Sequence, residues 1–391
     1  MIELEKAIKG TTRYYVWLIF LLALIGAGFI TYLFQLKYGL GITGMSRDVT
    51  WGFYIAQFTF LVGVAASGLM VVLPYYLHDY HAFGKVTILG EFLAIGAVVM
   101  CMTFILVDMG MPHRAANVAL HPTPNSVMFY DMIVLFTYLV LNVVIAFPIL
   151  AAEKKEKEPP YYILKPIIYL SIAWAPLIHT VTAFLYAGLP GRHLWLTAIL
   201  AARFLASAFA AGPSLLLILY LVMGKLTDMK VNDKAVGKIA QIVLYAAIIN
   251  IFMLGLEFFT AFYSQIPGHG ESLMYLFFGL EHGGHTYASL VPFMWMSVVI
   301  SLGAILLLLV PAARKNKSWL VVGLVGVFIG SWIDKGLGLI VGGFIPSPLN
   351  KVTEYAPTLP ELVISVGIFA LGALIITVLY KMVVEVRKSV A

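Results

Sequence analysis

The sequence predicts an all-α, polytopic integral membrane protein with ten transmembrane helices. Of its 391 residues, 61% are hydrophobic and only 11% are charged, whereas a soluble domain carries about 25% charged residues. Ten apolar runs reach the length of about 20 residues that a helix needs to cross the hydrocarbon core. Lysine and arginine lie mostly on one side of these runs. Together these observations predict a single membrane domain over residues 1–391.

The ten predicted helices follow one another at short intervals. Several begin at aromatic residues, which anchor helices at the two membrane interfaces. The predicted spans are Tyr14–Leu36, Trp51–Leu77, Thr87–Asp108, Val127–Ala152, Ile163–Ala187, Leu194–Met223, Val236–Ser264, Thr286–Val310, Trp319–Ile340 and Pro360–Val384.

The distribution of basic residues predicts the orientation. Most of the 25 lysines and arginines occupy the N-terminus, the connections after even-numbered helices and the C-terminus. The opposite side carries Lys37, Arg47, Arg114, Arg192 and Lys351. The positive-inside rule therefore places both termini in the cytoplasm, in a multi-pass protein of the cytoplasmic (inner) membrane. This asymmetry also accounts for the formal charge of +6, so no nucleic-acid partner is expected beside the lipid bilayer.

The order of the spans predicts two groups of four helices, with one further helix at each end. Residues 51–187 form the predicted first four-helix bundle, residues 194–340 form the second, and residues 360–385 form the last helix. Each group begins on the outer side of the membrane. Any internal repeat would therefore be parallel, about an axis along the membrane normal.

Ionisable residues inside the spans indicate where function lies, because each costs about 2.5–3.5 kcal/mol on insertion scales. Only Glu91 lies in the inner half of its helix. The others lie toward the outer ends: Asp108, Asp131, His179, Arg203, Glu257, Asp334, Lys335 and Glu361. As a set they predict a polar pocket that is reached from outside. Taken singly, each also fits a structural role, such as an ion pair between Arg203 and Glu257.

The sequence offers no ligand set for a resident redox cofactor. Cys101 is the only cysteine, and an iron–sulfur cluster needs about four thiolates. His179 is the only histidine well inside a span, whereas a transmembrane b haem usually takes two. The segment Glu281–His285 offers two histidines and a carboxylate without a fixed helical frame, which is a weak signal for a metal. We therefore expect no haem, no iron–sulfur cluster and no metal in this chain.

Six segments resemble the polysulfide-reductase membrane-subunit (NrfD-like) family. Within it the chain is similar to the ten-helix branch, which includes the membrane subunits of periplasmic hydrogenase complexes and of the sulfite-reduction-associated Dsr complex. The segments are Trp51–Gly68, Ile105–Gly110, Pro124–Asp131, Trp174–Gly188, Leu254–Phe259 and Tyr355–Gly372. One motif departs from the family. Where the family commonly has Asp-x-Gly-Arg, Met111 follows Gly110 and Arg114 comes three residues later.

The resemblance implies a quinone-binding subunit of an anaerobic respiratory oxidoreductase complex, in sulfur or hydrogen metabolism. Such a subunit holds no redox cofactor of its own. It exchanges electrons between menaquinone or menaquinol and an extracytoplasmic ferredoxin-like iron–sulfur subunit docked on the outer loops, and proton translocation is open. A multihaem cytochrome c and a second membrane subunit are further partners that the resemblance suggests.

A quinone site needs hydrogen-bond donors for the carbonyl oxygens and a titratable group that transfers protons. Asp108 and His179 are the first candidates for these roles. Arg114, Asp131 and Gln57 are secondary candidates for contact with the quinone. Glu91 and Glu257 are candidates for a proton path.

Two other classes of function stay open at this point. In a secondary transporter the two bundles would rock about a central site, but such a site is expected near the midplane rather than toward one side. In a purely structural anchor for an electron-transfer protein the buried charges would serve packing alone. The anchor hypothesis predicts that neutral replacements of Asp108 and His179 leave turnover intact.

Overall fold

The structure is a computed structural model that describes residues 7–227 and 229–390. Within these residues ten helices are long and apolar enough to span a membrane, which confirms the predicted polytopic all-α fold. They are α1 (Thr12–Tyr38), α2 (Phe53–Leu77), α3 (His81–Asp108), α4 (Val127–Lys154), α5 (Tyr161–Ala187), α6 (Ile199–Leu226), α7 (Asp233–Tyr263), α8 (Val291–Leu309), α9 (Lys317–Gly342) and α10 (Leu359–Ser389).

Two helices begin about one turn later than predicted. The sixth starts at Ile199 rather than Leu194, because Leu194 and Trp195 form a buried turn in which Trp195 Nε1 donates to the Leu339 carbonyl at 2.7 Å. The eighth starts at Val291 rather than Thr286. In both cases the residues just before the helix are apolar enough to extend the hydropathy signal, so the predicted span began too early.

Residues before α8 form a short β-hairpin instead of helix. Strand β1 (Leu280–His282) pairs antiparallel with β2 (His285–Tyr287), and Thr286 lies opposite Glu281. Gly283 and Gly284 connect the strands with φ angles of +59° and +80°. Glycine adopts such angles without strain, and a two-residue turn of this kind matches the twist of a hairpin.

The helices pack in two groups that meet at α2. Helices α2–α5 contact one another, and so do α6–α9, while α2 also contacts α6 and α9. In the most apolar stretch of α2, 94% of the residues are buried, whereas in that of α1 only 11% are buried. Helix α2 therefore lies at the centre of the protein and α1 at its edge. Helix α1 packs along α10, which in turn contacts α3 and α4.

Helices α2 and α9 are irregular near the contact between the two groups. A 3₁₀ turn over Ala66–Gly68 interrupts α2. Helix α9 contains a π-helical segment, Trp332–Gly338, between regular α-helical parts. Wide π turns redirect side chains and occur often at functional sites.

We call one end of the bundle the outer end, because the sequence predicts that it faces away from the cytoplasm. It carries residues 39–52, 109–126, 188–198, 264–290 and 343–358. Between α7 and α8 this end also carries a connecting helix, Pro267–Phe277. The opposite end is the inner end.

Candidate functional site

An aromatic cavity of about 330 Å³ opens at the outer end. Its lining consists of Thr50, Trp51, Leu189, Pro190, Gly191, Arg192 and Phe344. The Trp51 ring stacks on the Trp195 ring at 5.8 Å and meets the Phe344 ring edge-on at 6.2 Å. Ligand pockets in proteins range over roughly 300–1,000 Å³ and are mostly apolar. This cavity is large enough to hold a small ring system between aromatic walls.

Tyr186 connects the aromatic cavity to the interior of helices α2–α5. Its ring contacts Trp51 edge-on at 5.6 Å and Trp195 at 5.2 Å. Its hydroxyl is hydrogen-bonded to the Thr59 hydroxyl, and both side chains are fully buried. His179 lies seven residues, or two turns, before Tyr186 on the same face of α5. Tyr186 therefore stands between the cavity and the face of α5 that carries His179.

A polar core lies inside helices α2–α5, formed by Gln57, Asp131, His179 and Thr182. The Thr182 hydroxyl donates to Asp131 Oδ1 at 2.6 Å, which joins α4 to α5. His179 is one turn away from Thr182, so both side chains lie on the same face of α5. Its imidazole is fully buried, and neither ring nitrogen has a hydrogen-bond partner among the residues described. A buried polar atom in this state points to a ligand or to water.

Gln57 belongs to the same polar core and links it to α9. Its Oε1 accepts a hydrogen bond from Trp332 Nε1 at 2.7 Å, while its Nε2 has no partner in the described part of the chain. Three of the five residues predicted for a quinone, Gln57, Asp131 and His179, are thus buried in one group of helices. Each of these three residues places polar side-chain atoms in the interior of helices α2–α5.

Asp108 lies beside a different hydrogen-bond network at the outer end of α3. The Tyr54 hydroxyl donates to Gln35 Oε1 at 2.7 Å, and Gln35 Nε2 donates to the Val107 carbonyl at 2.6 Å. This network fixes α1, α2 and α3 against one another. Asp108 Oδ1 is buried and has no hydrogen-bond partner among the residues described. Asp108 therefore adds a further unpartnered polar atom at the end of α3, outside the polar core.

Arg114 does not join the other predicted residues. Helix α3 ends at Asp108, and the chain runs through Met109 to a short 3₁₀ turn, Pro112–Arg114. The Arg114 side chain is exposed and makes no hydrogen bond or ion pair to any described residue. Its position four residues after Gly110 thus carries the guanidinium to the surface, away from Asp108.

A second polar cluster lies in helices α6–α9. The Arg203 guanidinium is paired with Glu257, as the sequence suggested, and also bonds both carboxylate oxygens of Asp334 at 3.0 and 2.9 Å. His269 on the connecting helix completes this second cluster, with Nε2 3.4 Å from Glu257 Oε1. Sequence reasoning missed Asp334 and His269 as members. Asp334 and His269 lie in separate helices, so no sequence spacing links them to Arg203. Their predicted depth in the membrane was the only signal for a shared cluster.

Glu91 lies in the inner half of the bundle, as predicted from its place in α3. Its carboxylate is buried, and Oε2 has no partner among the described residues. It borders a small cavity that is also lined by Tyr138, Asn142 and Ser171. This cavity lies at the 3₁₀ turn of α2. Its volume of about 10 Å³ is close to the space that one water molecule needs.

These features define a multi-pass membrane protein with an aromatic cavity and a buried polar core toward one end of its helices. The particular family follows from comparison with known proteins. Residues 41–345 match the family model described as polysulphide reductase, NrfD, and the chain belongs to this family. The resemblance inferred from the six sequence segments is thereby confirmed.

Similar proteins in three organisms are subunits of oxidoreductases. The chain is 23% identical, over 92% of its length, to the membrane subunit of a putative dimethyl sulfoxide reductase of Halobacterium salinarum, of which it covers 89%. It is 20% identical, over 93% of its length, to a selenate reductase subunit of Mesobacillus selenatarsenatis, of which it covers 92%. It is 22% identical, over 71% of its length, to the Hdr-like menaquinol oxidoreductase integral membrane subunit of Archaeoglobus fulgidus, of which it covers 67%.

Proposed function

We propose that this chain is the quinone-reactive membrane subunit of an anaerobic respiratory oxidoreductase complex. It exchanges electrons between menaquinone or menaquinol and an extracytoplasmic iron–sulfur subunit. One observation carries the proposal: Trp51 of the aromatic cavity contacts Tyr186, and two turns away on the same face of α5 lies the buried imidazole of His179, which has no hydrogen-bond partner among the described residues. The similar menaquinol oxidoreductase subunit supports the choice of menaquinone.

The residues of the site suit a quinone ring in three ways. Trp51, Tyr186 and Phe344 supply aromatic surface against which a flat ring can stack. Hydroxyl and amide groups around Tyr186 and Gln57 offer hydrogen bonds to its oxygens. A carboxylate and an imidazole, those of Asp131 and His179, can take the protons that a quinol releases when it is oxidised.

The other nominated residues take different places in the proposal. Asp108 lies at the outer end of α3, outside the polar core, and its carboxylate, with no partner for Oδ1 among the described residues, is a second proton acceptor in the proposal. Arg114 was a secondary candidate for quinone contact, and its exposed position gives that role no support. We keep Asp108, Asp131, His179 and Gln57 as the proposed quinone-binding residues.

We further propose that protons reach or leave the site along two sets of polar groups. Glu91, with Tyr138 and Asn142, forms the inner end of a path toward the polar core. Glu257 is the proton-binding group of the second cluster. Both proposals take the predicted orientation, with the two termini in the cytoplasm, as their basis.

The partner is proposed from the position of the aromatic cavity. Because the cavity opens at the outer end, an electron acceptor or donor must dock there to be near the quinone. A ferredoxin-like iron–sulfur subunit in the extracytoplasmic space meets this requirement. A multihaem cytochrome c and a second membrane subunit would be further components of the same complex.

The first experiment measures quinone turnover by the intact purified complex. We expect His179→Ala and Asp108→Asn each to lower menaquinol-analogue turnover by about 10²-fold or more, as removal of a proton-transfer group does. Asp233→Asn serves as the matched control, because Asp233 is exposed at the start of α7. In every variant the iron–sulfur centres should still be reduced by dithionite.

Unchanged turnover in both variants would contradict the proposal. The quinone would then react elsewhere in the complex, and this chain would be an anchor. A solute flux into vesicles that contain this chain alone would instead favour the transporter alternative.

A further inference from the structure

Lys335 is a buried basic residue with no anionic partner in the described part of the chain. Its side chain lies in the π-helical segment of α9 and is 4% exposed. Nζ makes one long hydrogen bond, to the Phe204 carbonyl at 3.5 Å, and lies 4.1 Å from the centre of the Phe204 ring. No carboxylate oxygen of the described chain is within 4.0 Å of Nζ.

Asp334 does not neutralise its neighbour Lys335, because the side chains of consecutive helical residues do not face each other. Asp334 bonds the Arg203 guanidinium and belongs to the second cluster. Lys335 instead points toward α2, where a Cβ atom added at Gly63 would lie 3.2 Å from Nζ. Trp332, three residues earlier in the same segment, also reaches α2 through its bond to Gln57. One segment of α9 therefore serves both the second cluster and the polar core.

Lys335 lies beside the aromatic residues of the proposed site. The Phe204 ring that Nζ contacts has its centre 5.9 Å from the centre of the Tyr186 ring. An ammonium group has three donors, and Lys335 uses one of them. The imidazole nitrogens of His179 and Nε2 of Gln57 are likewise unpartnered among the described residues. These unused polar atoms come from α2, α5 and α9, and α2 packs against both of the other two helices.

A buried ammonium is unfavourable unless a counter-charge or a ligand compensates it. Contact with one carbonyl and one aromatic face compensates it only in part. The adjacent carboxylate, that of Asp334, is already bonded to Arg203. A ligand that becomes negative during function would supply the compensating charge.

We propose that Lys335 is a further residue of the quinone site, whose ammonium binds the quinone oxygen that becomes negative during proton transfer. The inference rests on the proposed function. When a quinol gives a proton to His179, one O–H bond breaks and one N–H bond forms, while both electrons stay on the quinone. The oxygen left behind carries a full negative charge until the electrons pass to the iron–sulfur partner. Lys335 stabilises this oxygen electrostatically.

The test compares an anionic with an uncharged ligand of the site in the intact complex. The anionic probe is a hydroxyquinoline N-oxide in its deprotonated form, and the uncharged probe is a 1,4-naphthoquinone. We expect Lys335→Met to weaken binding of the anionic probe by at least about tenfold, because a buried charge contact is lost. Affinity for the naphthoquinone should change by less than about twofold, and Lys335→Arg should retain most of the anion affinity.

The control variant is Lys351→Met, which removes an exposed cation from the outer loops. It should leave both affinities unchanged. The inference is overturned if Lys335→Met loses affinity for both probes equally. It is also overturned if that variant keeps its full affinity for the anionic probe. If the methionine variant does not assemble, Lys335→Gln undergoes the same comparison. Should the wild-type complex bind neither probe, the proposed function itself fails, which is a distinct result.

Discussion

Arg203 determines how the buried acids of helices α6–α9 are satisfied. Its two terminal nitrogens bond Glu257 and Asp334, so one guanidinium compensates two carboxylates. His269 lies against Glu257 from outside, with 4% of its surface exposed. Burial and the nearby charge of Arg203 both lower the pKa of His269 below its ordinary value of 6.5. The second cluster therefore holds a neutral imidazole at neutral pH.

This neutral imidazole predicts a pH dependence of stability. Below about pH 6.5 the unfolded chain binds a proton at His269, whereas the folded protein does so only at lower pH. The unfolded state then binds more protons, so the free energy of unfolding falls as the pH decreases from about 6.5 toward the folded pKa. We expect a thermal unfolding midpoint that decreases less steeply over this range in His269→Gln than in the wild type.

His285→Gln is the matched control, because His285 is exposed in the hairpin. Its unfolding midpoint should follow that of the wild type at each pH. A wild-type dependence that His269→Gln reproduces in full would show that other groups cause it.

Two glycines determine the packing of α1 and α10. A Cβ atom added at Gly28 would lie 2.8 Å from the Gly367 Cα atom, so the two backbones are nearly in contact. Because α1 is otherwise little buried, this crossing is a main contact of α1 with the rest of the protein. Close approach at small residues is a common way to join helices in lipid, where no hydrophobic effect drives them together.

We predict that Gly28→Ala destabilises the protein by about 1–3 kcal/mol, since the backbones must separate to admit a methyl group. Gly26→Ala is the control, because a Cβ atom there meets nothing within 4 Å. Alanine favours helix over glycine by about 0.8–1.0 kcal/mol, so the control should be neutral or slightly stabilising. Denaturation in detergent measures both, and equal midpoints for the two variants would refute the packing argument.

The helices themselves could be predicted from the sequence, and the irregular elements could not. Helix length follows from the thickness of the bilayer, so apolar runs predicted both ends of α2, α4 and α5 to within a turn. Trp195 and Thr286 carry no charge and adjoin apolar runs, so a hydropathy profile includes them in the predicted helices. Their turn and hairpin depend on contacts with Leu339 and Glu281, which only the folded chain reveals.

Depth in the membrane predicted the candidate site only in part. Glu361 and His179 are both buried, and the sequence could not separate their roles. In the structure Glu361 accepts bonds from the Gly44 and Thr358 amides and from the Tyr355 hydroxyl, which marks it as structural. His179 has no such partners among the described residues. Asp334 and Lys335 are adjacent in the sequence, yet Asp334 bonds Arg203 whereas Lys335 contacts Phe204, and only the folded chain reveals these partners.

At the scale of the whole molecule, polar groups occupy both halves of helices α2–α5. The aromatic cavity and the polar core lie toward the outer end, and Glu91 lies toward the inner end beside Tyr138 and Asn142. Helix α2 runs between them with a 3₁₀ turn at Ala66–Gly68. The proposed quinone site, which opens at the outer end, can therefore exchange protons with either side of the membrane, depending on which of these groups conducts.

We predict that Glu91→Gln separates the two possibilities. If Glu91 conducts protons, turnover of the complex in proteoliposomes changes the pH at the inner end, and the variant lowers the rate of this change by about tenfold or more. The amide keeps the size of the side chain but cannot carry a proton. A pH-sensitive dye confined to the compartment at the inner end records the change, and Asp79→Asn, an exposed residue at the same end, is the control. Equal rates in all three proteins would mean that the protons of the quinone are exchanged at the outer end alone, with Glu91 confined to packing.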